Sequence, residues 1–203
     1  MRILKDEKYS SILQAARQEF VREGFKEASM RNIARQAGVG LSNIYNYFRN
    51  KDEIFGVIVS PAKHKLFSFI TEQHTEATVD FSAVPVFGHH EEAIEYYIEL
   101  IDQYREEYRM LLYYSQGSSR QDFRDELTDH MTRVSHHYME MEKEYYPEAA
   151  GVSDFFIHTM SSWMVSILGE MVTHDDMDRP KIRDFFREYF RFSFAGWREL
   201  MGI

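Results

Sequence analysis

The 203-residue sequence contains no cysteine. That excludes disulfides, thiolate metal sites and a cysteine nucleophile, and it fits a reducing compartment. Only four prolines occur and strict period-two alternation is rare, so nearly every segment reads as helix rather than strand. No stretch approaches the roughly 20 apolar residues that a membrane span needs. The opening MRILKDEKYSS lacks the apolar region of a signal peptide. The expectation is a cytoplasmic protein without membrane attachment. A Gly-rich phosphate loop, a nucleophile elbow and a metal signature are all missing as well. No enzymatic activity and no cofactor are expected.

What is present is unevenly charged. The net charge is −9, which is unpromising for a nucleic-acid binder until it is divided. Residues 1–55 carry ten Lys/Arg and seven Asp/Glu, whereas the remainder carries fourteen and twenty-six. The balances are +3 and −12. Such asymmetry suggests a nucleic-acid-facing part joined to a part with another role.

The periodicity divides the chain into helices. The first runs from about Lys8 to Glu23, with Ile12, Ala15, Ala16 and Phe20 on one face and Gly24 as a left-handed stop. Ser29 caps a second through about Gln36, with Ile33, Ala34 and Ala37 as its buried face. A third covers about Leu41 to Phe48 and buries Ile44 and Phe48. A fourth runs from Lys51, with Asp52 and Glu53 at the positive end of its dipole, to about Glu72. Pro61 lies inside it and predicts a kink. Residues 75–90 read as a long loop. Further helices follow over about 91–107, over YRMLLYY, over 120–145, over 153–173 and from Pro180 onward.

The spacing Ala34, Gly38, Ile44 is that of a helix-turn-helix. A small residue lets the helices cross, a glycine makes the turn, and a branched apolar residue locks the second helix onto the core. That second helix then exposes Leu41, Ser42, Asn43, Tyr45, Asn46 and Tyr47. Asn pairs with adenine edges in the major groove, and apolar groups meet the thymine methyl. Tyrosine hydroxyls and Lys51 suit phosphate oxygens.

The stretch SMRNIARQAGVGLSNIYNYFRNKDEIF (29–55) resembles the DNA-binding signature of TetR-family transcriptional regulators. The specific match covers about residues 8–58 and includes Tyr45, Tyr47, Phe48 and Lys51. The resemblance implies an all-α protein. An N-terminal three-helix helix-turn-helix domain (5–58, motif about 29–48) would be followed by a six-helix ligand-binding and dimerisation domain (59–203). It implies a homodimer on a pseudo-palindromic double-stranded DNA operator, usually a repressor, released when a small-molecule effector binds. By position, Ser29 and Arg31 would contact phosphates. Leu41, Ser42, Asn43, Tyr45, Asn46, Tyr47 and Lys51 would contact DNA from the third helix onward. Gly40 departs from the Ser or Thr common at the cap of that helix, which removes a hydroxyl contact. Asn50 replaces another such residue but can still cap the fourth helix.

Beyond residue 60 the pattern is rich in Met and aromatics, which form core stripes or line an apolar pocket. Phe67, Tyr97, Tyr104, Tyr113 and Met131 are pocket candidates, with Met160, Trp163 and Met164 on the helix over 153–173. Tyr97 and His137 would be orienting polar groups on otherwise buried faces. The last two helices are the expected dimer interface. The final helix is apolar on more than one face, and the residues expected there are Trp163, Ile167, Phe186, Tyr189, Phe190, Phe194 and Trp197. The bland alternative makes the final helix central within its own monomer.

The histidine doublets His89–His90 and His136–His137 point about 100° apart on a helix and are poor ligand pairs. No metal site is expected. The competing reading of the whole chain is a helical interaction or scaffold module without DNA binding.

Overall fold

The computed structural model describes residues 2–72 and 88–202, with the side chains of 2–6 and 88–90 outside the description. The described residues form eight helices and no strand. They are α1 (Arg2–Glu27), α2 (Met30–Gln36), α3 (Leu41–Ile44), α4 (Lys51–Glu72), α5 (Gly88–Tyr113), α6 (Phe123–Tyr145), α7 (Asp154–Thr173) and α8 (Arg179–Met201). The loop expected over 75–90 lies mostly outside the described residues.

Two helices differ from their expected form. Gly24 turns at φ 71, ψ 165 inside α1, so the glycine makes a corner and a short helical piece follows it. The two helices expected around residue 107 form one, α5, which leaves helical geometry at Tyr104 (φ −129, ψ 19). α4 holds Pro61 and is unbroken to Glu72. Proline frees the carbonyl four residues earlier, which here belongs to the exposed Val57. Solvent can satisfy it, so the helix continues at small cost.

The chain divides into two compact units. The first comprises Met1–His64 together with Glu106–Arg124, and so takes in a segment distant in sequence from the headpiece. Its core holds Ile12, Ala16, Phe20, Ile33, Ile44 and Phe55, all fully buried. Phe20, Phe25 and Phe55 form an aromatic knot with ring centroids 5.2–5.9 Å apart. The distant segment is sewn in by polar bonds. The Phe25 N–H donates to the Tyr114 carbonyl at 2.8 Å. The Ser119 N–H and hydroxyl both donate to the Asp52 carboxylate at 2.7 Å. The Arg120 guanidinium lies against Gly56, where a Cβ would meet it at 2.5 Å.

The second unit comprises Lys65–Arg105 and Asp125–Ile203. Ile94, Ile98, Ile101, Ile167, Met171, Ile182 and Phe186 form its apolar cluster. Arginines at four-residue intervals on α8 pair antiparallel with α5: Arg179 with Asp102, Arg183 with Glu95 and Arg187 with Glu91. Arg105 donates to the carbonyls of Met171, His174 and Met177 at 2.7–3.1 Å; the first two are groups that the C-terminus of α7 leaves open, and the third belongs to the turn that follows. Ser153 and Asp178 cap α7 and α8, and Gly202 ends α8 in the left-handed conformation. Among the described residues no helix is long and apolar enough to cross a membrane.

Candidate nucleic-acid interface

The interface is assembled on a buried acid. Glu19 of α1 is fully buried and gathers donors from three directions. It accepts the Ser29 N–H at 3.2 Å, Asn32 Nδ2 at 3.0 Å, Gln36 Nε2 at 2.9 Å, and the Arg22 guanidinium. An anion at the N-terminus of α2 also meets the positive end of its dipole. Burial pushes the Glu19 carboxyl up, but the bonds from Asn32 and Ser29, with Arg22 and Gln36, outweigh it and hold the group below its ordinary value. Glu19 thereby fixes α2 to α1. The Ser29 hydroxyl makes no cap bond; Glu19 instead takes the backbone N–H of Ser29 itself, as the acid of a capping box does.

α2 then meets α3 across a glycine turn. Gly38 adopts φ 67, which a side chain would strain. The Val39 N–H donates to the Ala34 carbonyl at 3.0 Å, and the Asn43 N–H to the Gly40 carbonyl at 2.9 Å. Ile44 is fully buried and Ala34 nearly so. The regular helix is shorter than the expected 41–48, since Tyr45, Asn46 and Tyr47 continue it as turns.

Anchored by Ile44, the segment presents its polar groups outward. Ser42 and Asn46 are exposed, Tyr45 is 52% exposed, and Leu41, Asn43 and Tyr47 are half-buried. The Asn46 amide donates to Asn43 Oδ1 at 3.4 Å. Tyr47 packs against Tyr9, whose ring stacks on Phe48 at 5.2 Å. Arg31 is exposed and Ser29 half-buried.

Lys51 is more constrained than a surface cation. Its ammonium donates to the carbonyls of Lys26 and Ala28 at 3.1 and 2.9 Å and sits 4.5 Å from the Phe25 ring centroid. Burial lowers its pKa, against a raising influence from Glu27. It closes the end of α1 with two of its three donors. Asn50 caps α4 by accepting the Glu53 N–H at 2.8 Å.

Residues 12–58 match the family model of bacterial regulatory proteins of the TetR family. This chain carries a TetR-family domain. Over 66 residues it is 38% identical to the fatty acid metabolism regulator protein of Bacillus subtilis, a match spanning 32% of each chain. It is 43% identical over 47 residues to the uncharacterized HTH-type regulator YhgD of the same organism, covering 23% of this chain and 25% of that one. The chain thus matches a third or less of the length of these curated relatives.

Solved structures extend the likeness of fold beyond the TetR-type domain. NalD, the secondary repressor of the MexAB-OprM multidrug efflux pump in Pseudomonas aeruginosa, superposes with a TM-score of 0.63 at 16% identity, over 94% of this chain and 96% of that one. FadR from Bacillus subtilis in complex with stearoyl-CoA gives 0.56 at 19%, over 90% and 97%.

Past the TetR-type domain, the expected pocket residues do not all gather. Phe67, Tyr97, Tyr104, Met131, Met160, Trp163 and Met164 belong to the second unit, whereas Tyr113 belongs to the first and is 43% exposed. Tyr97 stacks on Phe186 at 4.8 Å and meets Phe69 edge-on, and burial raises its hydroxyl pKa. Phe67 stacks on His130 at 4.5 Å. His137 is exposed, so it does not sit on a buried face as its position in the stripe suggested.

The expected dimer face divides too. Ile167 and Phe186 are buried in the monomer's own cluster. Tyr189, Phe190, Phe194 and Trp197 are half-buried, while Trp163 is 39% and Phe192 67% exposed. Among the described residues no group of three or more His, Cys, Asp or Glu could hold a metal.

Three polar features escape the periodicity. Glu19 is an acid on the apolar face shared with Ala15, Ala16 and Phe20, and that misplacement was its signal. Arg35 and the 87%-exposed Arg49 flank the motif as further cations.

Proposed function

We propose that this protein is a homodimeric transcriptional regulator that binds a pseudo-palindromic DNA operator. It would act as a repressor released by a small apolar or amphipathic effector. The observation that carries the reading is the outward row Ser42, Asn43, Tyr45 and Asn46, held by the buried Ile44 within the segment that matches the TetR family. DNA contact belongs to the first unit: Ser42, Asn43 and Asn46 read bases with Leu41, and Ser29, Arg31, Tyr45, Tyr47 and Lys51 hold phosphates. No acid shares that row, so the segment suits a polyanion.

Effector binding and dimerisation belong to the second unit. Its half-buried Tyr97, Met131, Met160 and Met164 suit an irregular apolar site. The FadR complex with stearoyl-CoA supports an amphipathic effector with a long apolar chain. Phe192 and Trp163 on α8 and α7 are the apolar groups that a partner protomer would cover.

The test is a footprint of the protein on DNA from its own gene neighbourhood, repeated across salt concentrations and with stearoyl-CoA added. A symmetric, salt-sensitive footprint with half-sites about one helical turn apart supports the regulator. Absence of sequence-selective binding at any salt concentration favours a scaffold module. An operator complex indifferent to stearoyl-CoA removes that effector while leaving the DNA reading intact.

A further inference from the structure

The end of the recognition segment leans on a ring from another helix. Regular helix stops at Ile44, and Tyr45, Asn46 and Tyr47 follow as turns. Those turns are closed by the N–H groups of Asn46, Tyr47 and Phe48, which donate to the carbonyls of Asn43 and Ile44 at 2.9–3.2 Å. Tyr9 of α1 supplies the side-chain support. Its ring stacks on the buried Phe48 at 5.2 Å and 21°, and meets the Tyr47 ring at 6.2 Å and 49°.

Phe48 has no polar atom to present, whereas Tyr9 and Tyr47 each carry a hydroxyl. Both residues are half-buried, so part of each stays in contact with solvent. Neither hydroxyl has a partner among the described residues. A buried tyrosine hydroxyl ordinarily finds one, so the two rings hold a pair of unused donors side by side. Tyr47 directly follows Asn46, whose amide is assigned to a base edge. The phosphates flank the groove in which base edges are read, and tyrosine hydroxyls are among the neutral groups that hold them. Glu7 and Lys8, exposed beside Tyr9, carry opposite charges, so they leave no net charge to repel a phosphate.

We propose that Tyr9 is a DNA-backbone contact delivered from α1, its hydroxyl donating to a phosphate oxygen beside Tyr47. The proposal rests on the DNA-binding reading above and adds to it a contact from outside the recognition segment. A phenol acts differently from a lysine at such a position. It is neutral and displaces no counter-ion, so it adds affinity for every sequence alike without adding to the salt dependence. The stack on Phe48 holds the ring before DNA arrives, so little side-chain freedom is lost on binding.

The experiment titrates the full chain against a labelled DNA duplex of arbitrary sequence, followed by fluorescence anisotropy over a series of salt concentrations. Tyr9→Phe keeps the ring and removes only the donor, which has no intramolecular partner to lose. It should weaken binding about three- to tenfold at every salt concentration, with the salt slope and the melting temperature unchanged. In the unmodified protein, saturating duplex should protect Tyr9 from nitration by tetranitromethane, read by peptide mass. If the unmodified protein binds no duplex, the DNA-binding reading falls and this contact falls with it. If it binds and Tyr9→Phe binds equally well, the contact alone is overturned. A salt slope lowered by about one in Tyr9→Phe, or nitration of Tyr9 undiminished by DNA, overturns it too.

Discussion

Glu19 accepts the backbone N–H of Ser29 at 3.2 Å, so the start of α2 is capped by a side chain ten residues upstream. The same carboxylate holds Asn32 and Gln36. Glu19→Ala would leave these donors facing a vacated buried site and is expected to cost about 2–4 kcal/mol. Chemical denaturation of the two proteins at pH 7 measures it, and a loss below about 0.5 kcal/mol would show that water replaces the carboxylate.

The same group predicts the acid limb of stability. Its folded pKa lies below the ordinary 4.5, so the unfolded chain holds that proton more tightly. The stabilisation is complete above the unfolded value and is lost as pH falls through the folded one. Melting temperature should therefore fall below about pH 4.5 in the native protein, and part of that fall should vanish in Glu19→Gln.

Lys51 predicts a change in two measurements from one substitution. Lys51→Ala removes the donors to Lys26 and Ala28 and should cost about 1–2 kcal/mol of stability in the free protein. If the remaining donor meets a phosphate, operator affinity should fall alike for all sequences, and the salt slope should decrease by about one. An unchanged slope would confine Lys51 to holding the headpiece together.

Asn43 and Asn46 carry the prediction on base preference. Each Asn→Ala change should relax discrimination at one or two operator positions by about 1–3 kcal/mol. Selection of bound sequences from a random pool checks this. A uniform loss across all positions would instead make these amides phosphate contacts.

The exposed aromatics of α7 and α8 predict the assembly state. Phe192→Glu should shift the protein towards monomer in sedimentation at micromolar concentration, because burying an unpaired charge opposes association. Phe186→Glu would unfold the unit instead, since Phe186 belongs to the monomer's own cluster. A native protein that sediments as a monomer would remove the dimer.

Much of the helical layout was legible in the sequence because its signals are local. Gly24 and Gly38 both take positive φ where they interrupt the apolar rhythm, and Asn50 bonds the Glu53 N–H. What was hidden depends on contacts far apart in the chain. Periodicity placed Ile167 and Phe186 on an apolar stripe but could not say whether their own monomer covers them. It could not show that Lys51 meets carbonyls more than twenty residues upstream, nor that Glu19 is satisfied by α2. Tyr104 fits the apolar rhythm of α5, so nothing in the pattern marks it as the residue where helical geometry lapses.

The membership of Glu106–Arg124 in the first unit bears on how such a headpiece can be transplanted. A chimera cut at residue 58 would carry the recognition segment but leave behind Tyr114, Ser119 and Arg120. The Phe25 amide, the Asp52 carboxylate and the bare backbone at Gly56 would then face whatever the recipient supplies. A working transplant has to move two stretches of chain together, with Gly56 and Arg120 exchanged as a pair. The reading head is a cassette in its amino-acid pattern but not in its hydrogen bonds.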